Sequence, residues 1–286
     1  MYSSSLYRSS PIWLQEMLIA ARGYGRARLR EGPAFERYLI EAERTQWLLP
    51  HELEALLKRR LNGVIGHAAA TVPFYRELYR NTSHAASWAD VLHELPLIDK
   101  PMVRAAGRAL LSASARQPLF EGSTSGTTGP PLKLLQDLAA ISRENAFVWR
   151  QLHWAGHVPG SRRAWIRGDM AVPIAQSDPP FWRHNAAERM LMMSSYHLSA
   201  ATADAYLDAL ATYAPSVIQA YPSAIAFLAQ WLKAAGRFYS GPALTAIVTS
   251  SESVSAENRA LIEERFGCRL FDWYGQFERV AAIGTC

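Results

Sequence analysis

The sequence predicts an α/β protein, and three observations carry that expectation. Between 202 and 273 short β-runs alternate with helical stretches of ten or more residues. The first hundred residues instead repeat apolar side chains at helical spacing. A segment of glycine, serine, threonine and proline at 122–131 separates two further strand-like runs. With 286 residues, about half of them apolar, the chain can bury a large core.

Taken in order, Ile12, Leu14, Met17 and Leu18, then Phe35, Tyr38 and Leu39, mark helical faces over 11–58, and Pro50 ahead of His51-Glu52-Leu53 opens another helix. Helical pattern continues over 61–79 with a break at Pro73, and Pro96 and Pro101 mark a loop. Leu119-Phe120-Glu121 and Leu132-Lys133-Leu134-Leu135 are strand-like, 139–153 is helical, and 163–167 alternates as a half-buried strand does. A proline-rich loop follows at 173–180. Helices are expected over 202–213, over 223–235 with Ser223 as cap and Gly236 as stop, and over 255–266 closed by Gly267. Strands are expected at 216–220, 244–249 and 269–273. Parallel βαβ units with helices on the sheet faces follow from that alternation. The expected division is an α-rich region over 1–115 and a nucleotide-binding α/β core over 116–286.

Composition removes several function classes. The longest apolar stretch near the start, 12–21, contains Gln15 and Glu16 and is much shorter than the ~20 residues of a membrane span. Its arginines follow the stretch, unlike those of a secretory signal, so the expected compartment is the cytoplasm. The two cysteines, Cys268 and Cys286, give neither a disulfide framework nor metal spacing. The net charge is +5, and its densest basic stretch, 22–44, is interleaved with Glu31, Glu36, Glu41 and Glu43, which reads as a solvated helix face and not a nucleic-acid surface. His153 and His157 stand four apart but lack the glutamate of a zinc-protease helix, so both are read as surface or core side chains.

The segment richest in chemistry is Ser123-Thr124-Ser125-Gly126-Thr127-Thr128-Gly129, followed by Pro130-Pro131-Leu132-Lys133. Hydroxyl donors and uncovered backbone N–H groups suit phosphate oxygens. It is not a Walker loop, because the Gly-Lys-Ser/Thr ending is absent and no helix begins directly after it. A flexible surface turn is the alternative reading of the same residues. The second segment, Tyr274-Gly275-Gln276-Phe277-Glu278, follows a β-run, and a third, Ser250-Ser251-Glu252, ends a buried one. Ser253 or Ser255 would equally serve there as a helix cap.

Together these segments resemble the adenylate-forming superfamily of acyl-CoA synthetases, peptide-synthetase adenylation domains and luciferases. The resemblance implies the large N-terminal domain of that fold, with mixed sheets flanked by helices. It further implies that 123–129 closes on the β- and γ-phosphates of ATP, with Lys133 near the family's lysine position. Tyr274 would pack on adenine, Gly275 would allow close backbone approach, and Glu278 would hold Mg²⁺ between the phosphates. Ser251 and Glu252 would line the adenine pocket, and Phe277 departs from the family's threonine. Thr71-Val72-Pro73-Phe74-Tyr75, Leu95-Pro96-Leu97-Ile98-Asp99-Lys100 and Ala220-Tyr221-Pro222-Ser223 are similar to the phenylacetate–coenzyme A ligase and CapK-like branch. There Tyr221, Pro222 and Ser223 would border the acyl pocket.

The implied reaction activates a small carboxylic acid with MgATP and passes the acyl group to coenzyme A or another thiol. Family members continue past the Tyr-Gly motif through a ribose-binding aspartate, a hinge and a small domain carrying a lysine, whereas this chain stops eight residues after Glu278. The expectation is therefore an incomplete adenylation domain: an enzyme completed by a second chain, or a non-catalytic relict or scaffold that retains the fold.

Overall fold

The computed structural model describes residues 2, 4–80, 92–116, 118–124 and 130–285. They form two compact units, one of Arg37–Arg143 and one of Met1–Glu36 with Glu144–Cys286.

In the unit 37–143, the helix Pro50–Thr71 begins where Pro50 needs no N–H partner and the Glu52 carboxylate accepts the Leu49 N–H at 2.9 Å. The helix Lys100–Ala106 is capped by Asp99, whose Oδ1 accepts the Met102 N–H at 2.8 Å. Two strands, β1 (Leu119–Ser123) and β2 (Lys133–Asp137), then pair antiparallel, with Leu119 opposite Asp137 and Ser123 opposite Lys133. Both predicted strand-like runs beside the glycine-rich segment are thus the arms of a hairpin, and no side chain in either arm is fully buried.

The second unit is built on seven strands: β3 (Arg163–Arg167), β4 (Trp182–Asn185), β5 (Met190–Ser194), β6 (Val217–Ala220), β7 (Ala246–Ser250), β8 (Arg269–Gly275) and β9 (Ala282–Gly284). Their order is β4-β5-β3-β6-β7-β8-β9. The five central strands are parallel, and β4 and β9 close the edges antiparallel. The helices Ala203–Tyr213, Pro222–Ala234 and Ala256–Phe266 make the crossovers, and their apolar stripes pack against Ile218, Ile247 and Leu270 on one sheet face. Leu152 and Ala155 cover the other face, against Val217, Val248 and Phe271. With both faces covered, β5, β6 and β7 are buried along their whole length, and their sequences are nearly continuous apolar runs. The helix Ile12–Arg30 adds Ile19 to a third cluster with Tyr7, Met190 and Met192.

Most predicted elements are present; the loop expected at Pro101 is not, since Pro101 sits in the first turn of the helix Lys100–Ala106, and three further differences stand out. The strands β4 and β5 are absent from the expectation, because Met-Leu-Met-Met carries no β-branched residue and shows no alternation. Ser223 does not cap its helix; Tyr221 holds the cap position without a side-chain bond, and Ser223 sits in the first turn. The third difference is β9, a three-residue edge strand too short to announce itself. By contrast, Ser255 caps Ala256–Phe266 by accepting the Asn258 N–H at 3.1 Å, and Gly267 ends that helix at φ +65°. Among the described residues no helix is long and apolar enough to cross a membrane.

Candidate functional site

Parallel sheets present ligands to the carboxyl ends of their strands. In this sheet those ends gather three of the segments singled out from the sequence. Tyr221-Pro222-Ser223 follows β6, Ser251-Glu252 follows β7, and Tyr274-Gly275 ends β8, and these three strands are neighbours. The positions follow from the alternation of buried strand and helix, since each crossover returns the next strand in the same direction.

Within this mouth the side chains are already organised. The Glu252 carboxylate accepts the Ser223 N–H at 2.9 Å and the Ser223 hydroxyl at 3.1 Å, so it satisfies the open first turn of Pro222–Ala234 and favours its dipole. Ser251 takes φ +75°, a conformation that glycine adopts freely and serine only with strain. Tyr274 is exposed, and its hydroxyl accepts from Gln276 Nε2 at 3.2 Å. A side chain at Gly275 would come within 2.6 Å of Trp273 Nε1, which is the packing reason for glycine there. Glu278 is exposed in the turn between β8 and β9. The neighbouring Arg279 pairs with Glu144 and adopts φ +58°.

Polar contacts centred on Asp272 brace the strands beneath. Thr249 Oγ1 donates to Asp272 Oδ1 at 2.6 Å, Gln151 Nε2 donates to the Asp272 carbonyl at 2.7 Å, and Thr285 Oγ1 accepts the Asp272 N–H at 2.7 Å. These bonds join β7, β8 and the segment after β9. Cross-linked groups of this kind stiffen the rim above them.

Sequence reasoning missed the most unusual group at this mouth, Arg167, the last residue of β3. Its guanidinium donates to the Ser250 hydroxyl and lies over the rings of Trp165 and Tyr221, 4.4 and 5.6 Å from their centroids. Burial pulls its pKa below the usual arginine range, opposed by Tyr221 and Asp169. The available signal was its place, an Arg-Gly pair at the carboxyl end of a predicted strand.

The hairpin of the other unit holds the remaining predicted residues. Thr124 closes the loop base, its N–H donating to the Leu132 carbonyl and its Oγ1 accepting the Leu132 N–H, both at 3.0 Å. Ser123 pairs with Lys133 across the ladder, and Lys133 Nζ lies 3.4 Å from Glu121 Oε1 in an exposed ion pair. Arg104 donates to the Pro130 carbonyl at 2.6 Å. Ser125, Gly126, Thr127, Thr128 and Gly129 lie outside the described residues.

Among the described residues no three His, Cys, Asp or Glu side chains gather into a metal cage. A magnesium ion carried by nucleotide phosphates needs only one or two protein carboxylates, and exposed Glu278 fits that demand. His157 does not belong to a metal site. It is buried, within hydrogen-bond distance of the Ser161 and Ser216 hydroxyls, and burial with Arg163 and His153 lowers its pKa to about 4.

No protein-family model matches the chain. It is similar to protein CapK of Staphylococcus aureus, 24% identical over 277 residues, covering 96% of this chain and 60% of CapK. Among solved structures it is similar to 2-hydroxyisobutyryl-CoA ligase in complex with 2-HIB-AMP and CoA in an open conformation. The TM-score is 0.53 at 17% identity, covering 81% of this chain and 55% of that one. The same ligase in its postadenylation state, in complex with 2-HIB-AMP, gives a TM-score of 0.56 at 19% identity, covering 81% and 50%. The chain thus spans little more than half the length of the proteins it matches. Its helix-flanked mixed sheet is the fold of adenylate-forming enzymes.

Proposed function

We propose that this chain activates a small carboxylic acid with ATP, forming an acyl-adenylate and pyrophosphate, and that the acyl group passes to the thiol of coenzyme A, as in the phenylacetate–coenzyme A ligase and CapK-like branch. One observation carries the reading. Three segments that resemble the superfamily's binding motifs leave three adjacent parallel strands at the same end, in a sheet of that fold. Such placement is what a ligand rim requires in an open parallel sheet.

In this reading Tyr274 offers its exposed ring to adenine, and Gly275 keeps the backbone beside it free of a side chain. Tyr221, Pro222 and Ser223 border the acid, while Ser251 and Glu252 shape the wall between acid and adenine. By resemblance alone, the segment 123–129 and Lys133 are assigned to the β- and γ-phosphates. A carboxylate oxygen of the acid attacks the α-phosphorus, the bond from that phosphorus to the bridging oxygen breaks, and pyrophosphate leaves. Thiol attack on the acyl carbon then releases AMP. When bound, MgATP supplies the leaving group together with a divalent charge; Glu278 holds that ion, and the protein's part is positioning and charge neutralisation.

The test is acid-dependent exchange of labelled pyrophosphate into ATP across aliphatic and aryl acids. Glu278→Ala is expected to lower the exchange rate about a hundredfold, and Lys133→Ala about tenfold. Exchange that ignores the added acid, or that survives Glu278→Ala undiminished, removes this assignment.

A further inference from the structure

Arg167 is a cation with unmet bonding capacity at the centre of the sheet's open end. It ends β3, the strand at which the chain's path divides, with β4 and β5 built to one side and β6, β7 and β8 to the other. Clefts open at such switch points. The side chain crosses the end of β6, over the ring of Tyr221, to reach Ser250 at the end of β7. Among the described residues it forms no ion pair, and its Nε is buried without a hydrogen-bond partner. The nearest acid in its electrostatic surroundings, Asp169, is engaged by the indole N–H of Trp165. A guanidinium removed from water with donors unmade is costly unless an oxyanion completes it.

Two phenol hydroxyls lie beside the next residue of the chain, Gly168. A side chain at Gly168 would come within 3.1 Å of the Tyr196 hydroxyl and 3.3 Å of the Tyr221 hydroxyl, so the absent Cβ lets both phenols turn toward the backbone next to Arg167. Tyr196 is largely exposed and Ser251 is exposed, which leaves the cluster open to a ligand. One cation and two phenols, with the neighbouring Asp169 already bonded to the Trp165 indole, describe a receptor for a planar oxyanion such as a carboxylate.

We infer that Arg167, with Tyr196 and Tyr221, binds a second anionic group on the acid substrate, so that the substrate class is a small dicarboxylic acid or an acid bearing an equivalent anion. This rests on the adenylation reading above and names its substrate. The reasoning turns on charge conservation. The reacting carboxylate loses its charge on becoming a mixed anhydride, and a partly buried arginine paired with it would be stranded halfway through the reaction. An anion that stays charged from ground state to product keeps the cation paired throughout. It also fixes the far end of the molecule, so the reacting carboxylate is aimed rather than held by a full opposite charge.

The experiment measures equilibrium binding of glutarate, adipate and terephthalate against butyrate, hexanoate and benzoate, together with AMP, on the full chain, and then exchange kinetics with the same acids. The dicarboxylates are expected to bind at least about tenfold tighter than their monocarboxylate partners. Arg167→Gln should erase that preference and leave AMP binding unchanged, Arg167→Lys should restore part of it, and Tyr196→Phe, at an exposed position, should weaken dicarboxylates a few-fold. Thermal unfolding of each variant separates lost binding from lost folding, and Tyr196→Phe carries the test if the Arg167 variants do not fold. Equal binding of mono- and dicarboxylates, or an Arg167→Gln variant weakened for AMP alone, overturns the inference; the second outcome would give the site to a nucleotide phosphate. If no acid supports exchange while Arg167-dependent dicarboxylate binding persists, the adenylation reading falls and the anion site stands. If acids support exchange and Arg167→Gln leaves the advantage of dicarboxylates over monocarboxylates unaltered, the adenylation reading stands and the anion site falls.

Discussion

The β1–β2 hairpin and the rim of the seven-stranded sheet are opposites in how chemistry relates to order. The hairpin carries the sequence's most recognisable chemistry on two short strands with no fully buried side chain, closed by the paired backbone and hydroxyl contacts of Thr124 and an exposed Lys133–Glu121 pair. The rim carries fewer recognisable residues but stands on strands buried on both faces and cross-linked by Thr249, Gln151 and Asp272. Under the proposed function the hydroxyl-rich segment is chosen for donors and not for packing. The stiffness of the rim comes from burial below it.

That contrast predicts unequal responses to substitution. The largest effect is expected at Arg183, which is fully buried in β4. It donates to Gln15 Oε1 and Gln176 Oε1, both at 2.7 Å, and to the Pro180 and Trp182 carbonyls at 2.9 and 2.7 Å. Arg183→Met strands these acceptors and should lower unfolding free energy by about 3–5 kcal/mol, read from denaturant midpoints at unchanged slope. A loss below about 1 kcal/mol would show that water reaches this edge of the sheet and would weaken the contrast.

A smaller effect is expected from pH, through His157. Its folded pKa of about 4 lies below the unfolded value near 6.5, so the unfolded chain binds the extra proton in that interval. Stability from the neutral buried ring is present above pH 6.5 and drains away as pH falls toward 4, by about 2 kcal/mol at pH 5. His157→Gln should flatten this part of the stability profile. A profile that keeps its slope in the variant would assign the acid sensitivity to other groups.

The smallest effects belong to the hairpin. Thr124→Val removes the acceptor of the Leu132 N–H and should cost about 1 kcal/mol. Lys133→Ala breaks an exposed pair and should cost less than about 1 kcal/mol while lowering exchange activity. The two variants sharpen the comparison because activity and stability should separate there, whereas at Arg183 they should fall together.

How far the sequence was legible follows the same division. The parallel core was readable because β6, β7 and β8 alternate with capped, amphipathic helices, and Ser255 and Gly267 mark the ends of one of them. The pair β4 and β5 was not readable, since a run of methionine and leucine suits a buried strand and a buried helix alike, and only pairing with β3 chose between them. At the rim, Tyr221, Ser251, Glu252, Tyr274 and Gly275 were picked out from motif resemblance. The bond from Ser223 to Glu252 was not, because it spans 29 residues and needs the crossover from β6 to β7 to bring its ends together.

Local order therefore belongs to the sequence itself: hydrophobic period, capping residues and turn chemistry act over a few positions and determine which stretches become strand or helix. Arg167 shows what they leave open. Whether an arginine at a strand end is a solvated charge or a partly desolvated one depends on Trp165, Tyr221 and Ser250, two of them far along the chain. That decision was made only when the sheet closed and water left the guanidinium, because desolvation is a property of the assembled surroundings and not of any residue by itself.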